Sequence, residues 1–285
     1  MKDMMNINNA KIALIHDWFL NKSMGGAEKV TLIIDEFLSK NYTVPDLFSL
    51  TENLGLENKD IFRGRKINTS FIQKLPFGKD KIQKFLPIIP FAIEQFDLSN
   101  YEIIISSSHI AAKGVLTSPD QLHISYIHTP MRYAWDQMNT YINKSSLKKY
   151  GFEFPLRYLL FKLREWDFIS GQRPDYLIAN SNFTSKRIRK YWGLNSEVIH
   201  PPVNIQRFKF SLERENFYLS VCRLVPNKRV DLIIKAFNKL GLELIIVGDG
   251  PEKERLKKLA RPNIKFHGND TNANVERLMS TCRAF

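Results

Sequence analysis

A chain of 285 residues, 44% of them hydrophobic, is long enough for two globular domains. Cys222 and Cys282 are its only cysteines, which argues against a disulfide framework or a zinc cluster and for a reducing cytoplasm. No apolar run reaches the roughly 20 residues of a spanning helix, no signal peptide is read in the polar opening Met1 to Ala10, and the net charge of +13 asks for an anionic partner or a large solvated basic face.

The first strand is read at Lys11 to His16, followed by the loop LNKSMGGAEKV and a helix from Ala27 to Ser39 with Val30, Ile33, Ile34, Phe37 and Leu38 on its buried side. Gly25 and Gly26 lie in this strand-to-helix turn. Paired glycines let a ligand approach the backbone at a helix N-terminus, and a plain loop is the other reading. Glu28 suits the helix dipole as a first-turn acid. From Lys59 to Lys84 the cations Lys59, Arg63, Arg65, Lys66, Lys74, Lys79, Lys81 and Lys84 face only Asp60 and Asp80, interleaved with Phe62, Phe71, Ile72, Phe77, Ile82 and Phe85. Such a mixture suits an anionic membrane surface, where each basic residue contributes about 1 kcal/mol, or a solvated basic face. No nucleic-acid-binding motif accompanies it, so nucleic acid is not an expected partner.

A strand over Tyr101 to Ser106 leads to Ser107, Ser108 and His109, and one over His123 to Ile127 leads to His128 and Thr129-Pro130. The carboxyl ends of parallel strands are where such sheets present ligands, although a lone histidine there is as readily structural. Arg132 can hold a pyrophosphate. Tyr133 and Trp135, with Asp136 beside them, can stack on sugar faces or belong to the core. His16 is a weaker candidate, and His123, His200 and His267 read as structural. Tyr176 to Ala179 is a strand, and Ser181 or Asn182 caps a basic amphipathic helix from Ser185 to Tyr191. Pro201-Pro202 then breaks regular structure, and NIQRF reads as the linker between domains 1–205 and 206–285.

The segment Phe217 to Leu259, FYLSVCRLVPNKRVDLIIKAFNKLGLELIIVGDGPEKERLKKL, alternates strand and helix. Phe217 to Val221 and Leu244 to Val247 are strands, with Val230, Ile233, Ile234 and Phe237 at helical spacing between them. Alternation of this kind implies a parallel sheet. Arg223 and Lys228 leave the carboxyl end of the first strand, where a guanidinium and an ammonium can neutralise a diphosphate leaving group, or stand as two solvated cations. Gly248-Asp249-Gly250-Pro251 is either a backbone cradle for an anion at a helix start or a plain turn. Ala273 to Cys282 is a last helix, and Arg283-Ala284-Phe285 opens as a strand. No Asp-x-Asp or His/Glu grouping stands at ligand spacing, so no metal is expected.

With its R-x4-K spacing at Arg223 and Lys228 and its VGDGP turn, this segment resembles the donor half of a GT-B glycosyltransferase of the retaining family 4. SSSHIAAKGV from Ser106, YIHTPMRYAWD from Tyr126, YLIANSNFTSKRIRKYWG from Tyr176 and VIHPPVNIQRF from Val198 are similar to bacterial O-antigen and surface-polysaccharide mannosyltransferases. The resemblance implies an α/β fold of two Rossmann-like domains facing a cleft, the first on the acceptor side and the second binding the nucleotide-sugar. It implies mannose transfer from GDP-mannose with retention of configuration, to a lipid-linked or polysaccharide acceptor at the inner face of the cytoplasmic membrane, with no cofactor. Arg229, in place of a glycine common in the family, agrees with the mannosyltransferase-like subgroup.

Residue by residue, the resemblance assigns Arg223, Lys228, Gly25, Gly26, Gly248, Asp249 and Gly250 to the donor, and His128, Arg132 and Tyr133 to the acceptor. His109 belongs beside the transferred sugar, hydrogen-bonding its hydroxyls, and is catalytic with Arg223 and Lys228 without being a nucleophile. The family pattern continues beyond NIKFHGND with a glycine loop and E-x7-E, neither of which follows here. An incomplete donor domain is therefore expected, with a catalytically impaired, membrane-associated remnant as the alternative reading, and a phosphorylase or epimerase of the same fold as a third.

Overall fold

The apolar run at the start folds as β1 (Ile12–His16), whose five residues are all buried, as expected of a strand covered on both faces of a parallel sheet. The structure is a computed structural model describing residues 9–20, 25–55, 60–145, 148, 150–209 and 211–285. Loop residues 21–24 and Lys59 lie outside these. The chain divides into two units, Met1–Pro202 and Val203–Phe285.

In the first unit β1 is followed by α1 (Gly26–Asn41), β2 (Asp46–Ser49), β3 (Ile67–Thr69), β4 (Ile103–Ser108), β5 (Leu122–Ile127), α2 (Glu153–Gly171), β6 (Tyr176–Ala179), α3 (Asn182–Trp192) and the short β7 (Glu197–Val198). Seven strands pair in the order β3-β2-β1-β4-β5-β6-β7, every pairing parallel. The chain winds outward from β1 to β3 and then returns to the other side of β1 at β4. The strand order thus reverses between β1 and β4, the place where open α/β sheets bind ligands. Alternate β1 residues feed two cores: Ala13 and Ile15 pack with Phe48, Ile89, Ile93 and Ile104, and Ile12 and Leu14 face the layers holding Leu38 and Phe62.

Several element bounds differ from the sequence reading. Strand β4 runs two residues further, so Ser107 and Ser108 are strand residues, and α3 begins at Asn182 because Ser181 caps it, its Oγ accepting the Thr184 N–H at 3.2 Å. Helix α1 is rotated from the expected face. Ile33 and Phe37 are exposed, while Glu28, Val30, Thr31, Asp35 and Leu38 are buried. The polar members of that inner face have partners: Asp35 pairs with Arg65, and Thr31 reaches β1 and β4.

The second unit repeats the pattern with β8 (Tyr218–Val221), α4 (Val230–Leu240), β9 (Leu244–Val247), α5 (Lys253–Leu259), β10 (Ile264–Gly268) and α6 (Asn272–Thr281). The sheet is parallel in the order β8-β9-β10. Ala284 pairs with Tyr218, and the Leu219 N–H donates to its carbonyl at 3.0 Å, which places it on the edge of β8 away from β9. The order therefore reverses at β8. Leu244 and Ile246 pack on Val230, Ile234 and Leu256, and Ile245 and Val247 pack on Leu278 and Cys282. Among the described residues no helix is long and apolar enough to cross a membrane.

Candidate active site

Strands β1, β4 and β5 end together because their registers align His16 with Ser107 and Ser108 with Ile127. Three histidines meet there. The ring centroid of His16 is 5.8 Å from that of His109 and 6.4 Å from that of His128. His16 is fully buried; its Nδ1–H donates to the Ser107 carbonyl at 2.8 Å, which leaves Nε2 unprotonated and without a partner. Thr31 donates to Ser107 Oγ at 2.7 Å, and Ser107 Oγ lies 2.9 Å from His128 Nε2. Burial, reinforced by its two histidine neighbours, pushes the His128 pKa down to about 3, so the ring is neutral. His16 is pushed the same way by burial, against the pull of Asp17.

His109 behaves oppositely. Burial disfavours its charged form, yet Asp17, aided by Glu28 and opposed by Arg132, outweighs burial and raises its pKa. Asp17 is fully buried directly after β1. Its carboxylate accepts four backbone N–H groups, from His109 at 2.6 Å, Ile110 at 3.0 Å, Ala111 at 2.6 Å and Ala112 at 2.7 Å. His109 Nδ1 lies 2.8 Å from Asp17 Oδ2, a charge contact without the alignment of a full hydrogen bond. Trp18 meets the His109 ring edge-on at 4.7 Å between centroids. Asp17 and Thr31 escaped the sequence reading; the available signal for Asp17 was an acid directly following a strand that is apolar up to His16.

The remaining first-unit candidates separate. Arg132 is exposed and close enough for its charge to act on His109. Tyr133 packs against the main core and edge-on to Tyr141, its hydroxyl buried and unpartnered. Of the two readings of Trp135, the core holds: the indole stacks on Tyr191 at 4.6 Å and donates to Asp167 at 2.7 Å. Asp136 pairs with Arg187 at 2.8 Å. Gly25 caps α1 and donates its N–H to Glu28 Oε2 at 2.9 Å; a Cβ at Gly26 would meet nothing within 4 Å. Gly26 thus leaves open space at the helix start. His123 sits inside the sheet, with Ser106 Oγ 2.9 Å from its Nε2.

The basic segment is only partly a surface. Phe62, Ile72 and Ile82 are core residues, and Arg65 pairs with Asp35. Lys74, Lys79, Lys81 and Lys84 are exposed, as is Phe77 at 63%. The ammonium groups of Lys81 and Lys84 lie 5.3 and 5.6 Å from its ring.

In the second unit Arg223 and Lys228 are both exposed on the loop that leaves β8, at the reversal of strand order. Among the described residues neither side chain has a hydrogen bond or ion pair. Arg229, in left-handed conformation at φ 51°, pairs with Asp231 at 3.1 Å. The glycines of the following turn have an internal reason to be glycine. Gly248 has φ +135° and a Cβ there would overlap the Cys222 carbonyl; a Cβ at Gly250 would overlap the Leu224 carbonyl. The two loops are laced together by Leu224 N–H to the Asp249 carbonyl at 2.9 Å and Glu252 N–H to the Leu224 carbonyl at 3.2 Å. Asp249 turns its carboxylate onto the Gly250 N–H at 2.7 Å and Lys253 at 3.0 Å. Among the described residues no three His, Cys, Asp or Glu side chains gather as a metal site.

Two parallel-sheet units, each with polar or charged side chains at its reversal of strand order, define a Rossmann-like α/β protein. The model of Glycosyltransferase Family 4 matches residues 24–207, and the chain belongs to that family. The model of the glycosyl transferases group 1 matches residues 203–285. HepE of Anabaena, solved in complex with UDP, is similar at 15% identity, with 95% of this chain and 72% of that chain covered and a TM-score of 0.59. Sucrose-phosphate synthase of Thermosynechococcus elongatus is similar at 13% identity, covering 95% and 74%, with a TM-score of 0.63. TarM of S. aureus, solved with fondaparinux, α-GlcNAc-glycerol and UDP, is similar at 11% identity, covering 95% and 80%, with a TM-score of 0.58. At these identities the likeness is one of fold, the GT-B glycosyltransferase fold. No curated protein matches the chain.

Proposed function

We propose that this glycosyltransferase moves mannose from GDP-mannose to a lipid-linked or polysaccharide acceptor, with retention of configuration, in the synthesis of a cell-surface polysaccharide. The observation that carries the reading is the pair Arg223 and Lys228, two exposed cations without side-chain partners among the described residues at the reversal point of the second sheet. A guanidinium can grip phosphate oxygens in pairs and an ammonium adds a point charge. Together they stabilise the diphosphate as the bond to the anomeric carbon breaks. The diphosphate departs on the face that the acceptor hydroxyl enters. Residues 206–285 form the donor domain, with Gly248, Asp249 and Gly250 shaping the loop beside Arg223.

Residues 1–205 form the acceptor-side domain. His109 hydrogen-bonds sugar hydroxyls, Gly25 turns the chain into α1 where Gly26 leaves open space, and Arg132, His128 and the half-buried ring of Tyr133 line the acceptor side. HepE and TarM were solved with UDP, while the motif resemblance and Arg229 support GDP. The exposed lysines 74, 79, 81 and 84 and the exposed Phe77 support peripheral attachment to anionic lipid at the cytoplasmic face.

Calorimetric titration with GDP, UDP, GDP-mannose and UDP-hexoses, followed by product analysis on lipid-linked saccharides, tests the reading. Tightest binding of GDP-mannose and transfer of mannose with unchanged anomeric configuration are expected. Preference for a UDP-sugar overturns the donor, and no binding by any nucleotide-sugar overturns the activity.

A further inference from the structure

We propose that Asp17 is the positioning residue of the first-unit site, holding His109 as an imidazolium with its proton on Nδ1 so that Nε2–H is presented as a charged donor. The proposal rests on the reading of this strand end as a sugar-handling site.

The placement of Asp17 argues for it. A fully buried carboxylate is costly unless its oxygens are satisfied. Here both oxygens are, by the four consecutive amides of residues 109–112, which tie the turn carrying His109 to the end of β1. Oδ2 then has His109 Nδ1 2.8 Å away, and a ring nitrogen that close to a carboxylate keeps its proton. The carboxylate therefore fixes the backbone of His109 by hydrogen bonds and draws its ring by charge. Trp18 packs edge-on against the same ring.

Around His109 the charged and titratable neighbours are Asp17 and His16 at the end of β1, Glu28 on α1, His128 at the end of β5 and Arg132 in the loop beyond. The two acids favour the imidazolium. Arg132 disfavours it, and His16 and His128 are neutral rings that add no competing charge. With 23% of the side chain exposed and Nδ1 turned to Asp17, Nε2 is the nitrogen left for a ligand. A charged donor there binds a sugar oxygen more strongly than a neutral imidazole does, and its strength follows the His109 titration.

Nitrogen-15 NMR of the histidine rings in the full chain tests this, with His109→Gln used to assign the signals. A His109 midpoint above the usual imidazole value of about 6.5, well above that of His128, is expected. In Asp17→Asn the His109 midpoint should fall by about a unit or more, a tenfold loss of imidazolium at neutral pH, while His128 barely moves. An unchanged midpoint in Asp17→Asn, or a wild-type His109 that titrates at or below the usual value, overturns the proposal. Should Asp17→Asn fail to fold, the wild-type midpoint decides by itself. In an active enzyme Asp17→Asn should also shift the basic limb of the kcat/KM profile downward, following the NMR midpoint. A chain that transfers no sugar yet shows the expected titrations overturns the proposed activity and upholds the Asp17 and His109 arrangement.

Discussion

Arg223 and Lys228 are exposed and have no side-chain partners among the described residues, so changing them should alter binding and leave the fold intact. Surface substitutions of this kind usually move stability by less than about 0.5 kcal/mol. A charge-assisted contact contributes about 1.5–3 kcal/mol, so Arg223→Ala should weaken nucleotide-sugar affinity by about ten- to a hundredfold with an unchanged melting temperature. Arg223→Lys should recover only part of it, because the ammonium lacks the planar fork. Calorimetry beside a thermal melt checks both, and unaltered affinity in Arg223→Ala would remove this residue from the site. These two residues were legible in the sequence because they follow an apolar strand at a recognisable spacing. Asp17 was not legible, since its importance lies in amides 92 to 95 residues away along the chain, which only the pairing of β1 with β4 brings to it. Trp135 was legible as an aromatic and ambiguous as to role; the carboxylate of Asp167 that takes its N–H comes from a helix further along the chain.

At the scale of elements, the turn between β9 and α5 joins the loop after β8 through carbonyls that leave no room for a side chain. Gly248→Ala combines that overlap with a φ of +135°, a region where L-residues are strained. A loss of at least about 2 kcal/mol is expected for Gly248→Ala, and a similar loss for Gly250→Ala. Gly26→Ala provides the contrast. It adds a methyl to open space in a helical position and should be neutral or stabilising by up to about 1 kcal/mol. Denaturant unfolding separates these outcomes, and a Gly248→Ala chain as stable as the parent would show that the two loops are not clamped as described. Strand and helix positions were largely legible, because a buried parallel strand is an apolar run and a capped helix has a polar start. The rotation of α1 was not. Its Ile33 and Phe37 have the spacing of an inner face, but Glu28, Thr31 and Asp35 find partners in Gly25, Ser107 and Arg65, and those three set the orientation.

Over the whole molecule, the histidines of the first sheet should make the stability of the first unit depend on pH. His16, His123 and His128 all lie in Met1–Pro202, and burial lowers the pKa of each, His123 to about 4 and His128 to about 3. A lowered basic group stays neutral in the folded state while the unfolded chain takes up a proton near pH 6.5. Stability from these groups is therefore complete above that value and is lost as pH falls toward the folded-state values. At pH 5 the loss from His123 and from His128 is about 2 kcal/mol each. His109, raised by Asp17, works in the opposite direction: its contribution is full below the unfolded value and is lost as pH rises through its folded one. With two lowered rings whose values are resolved and a third lowered beside them, the acid loss prevails. Unfolding of a two-unit chain need not be a single transition. The transition of the unit bearing the histidines should move to lower denaturant between pH 7 and pH 5, and His123→Gln should remove about half of the movement caused by His123 and His128 together. A first-unit midpoint that stays constant over this range would mean that these rings are solvated enough to take up protons in the folded state.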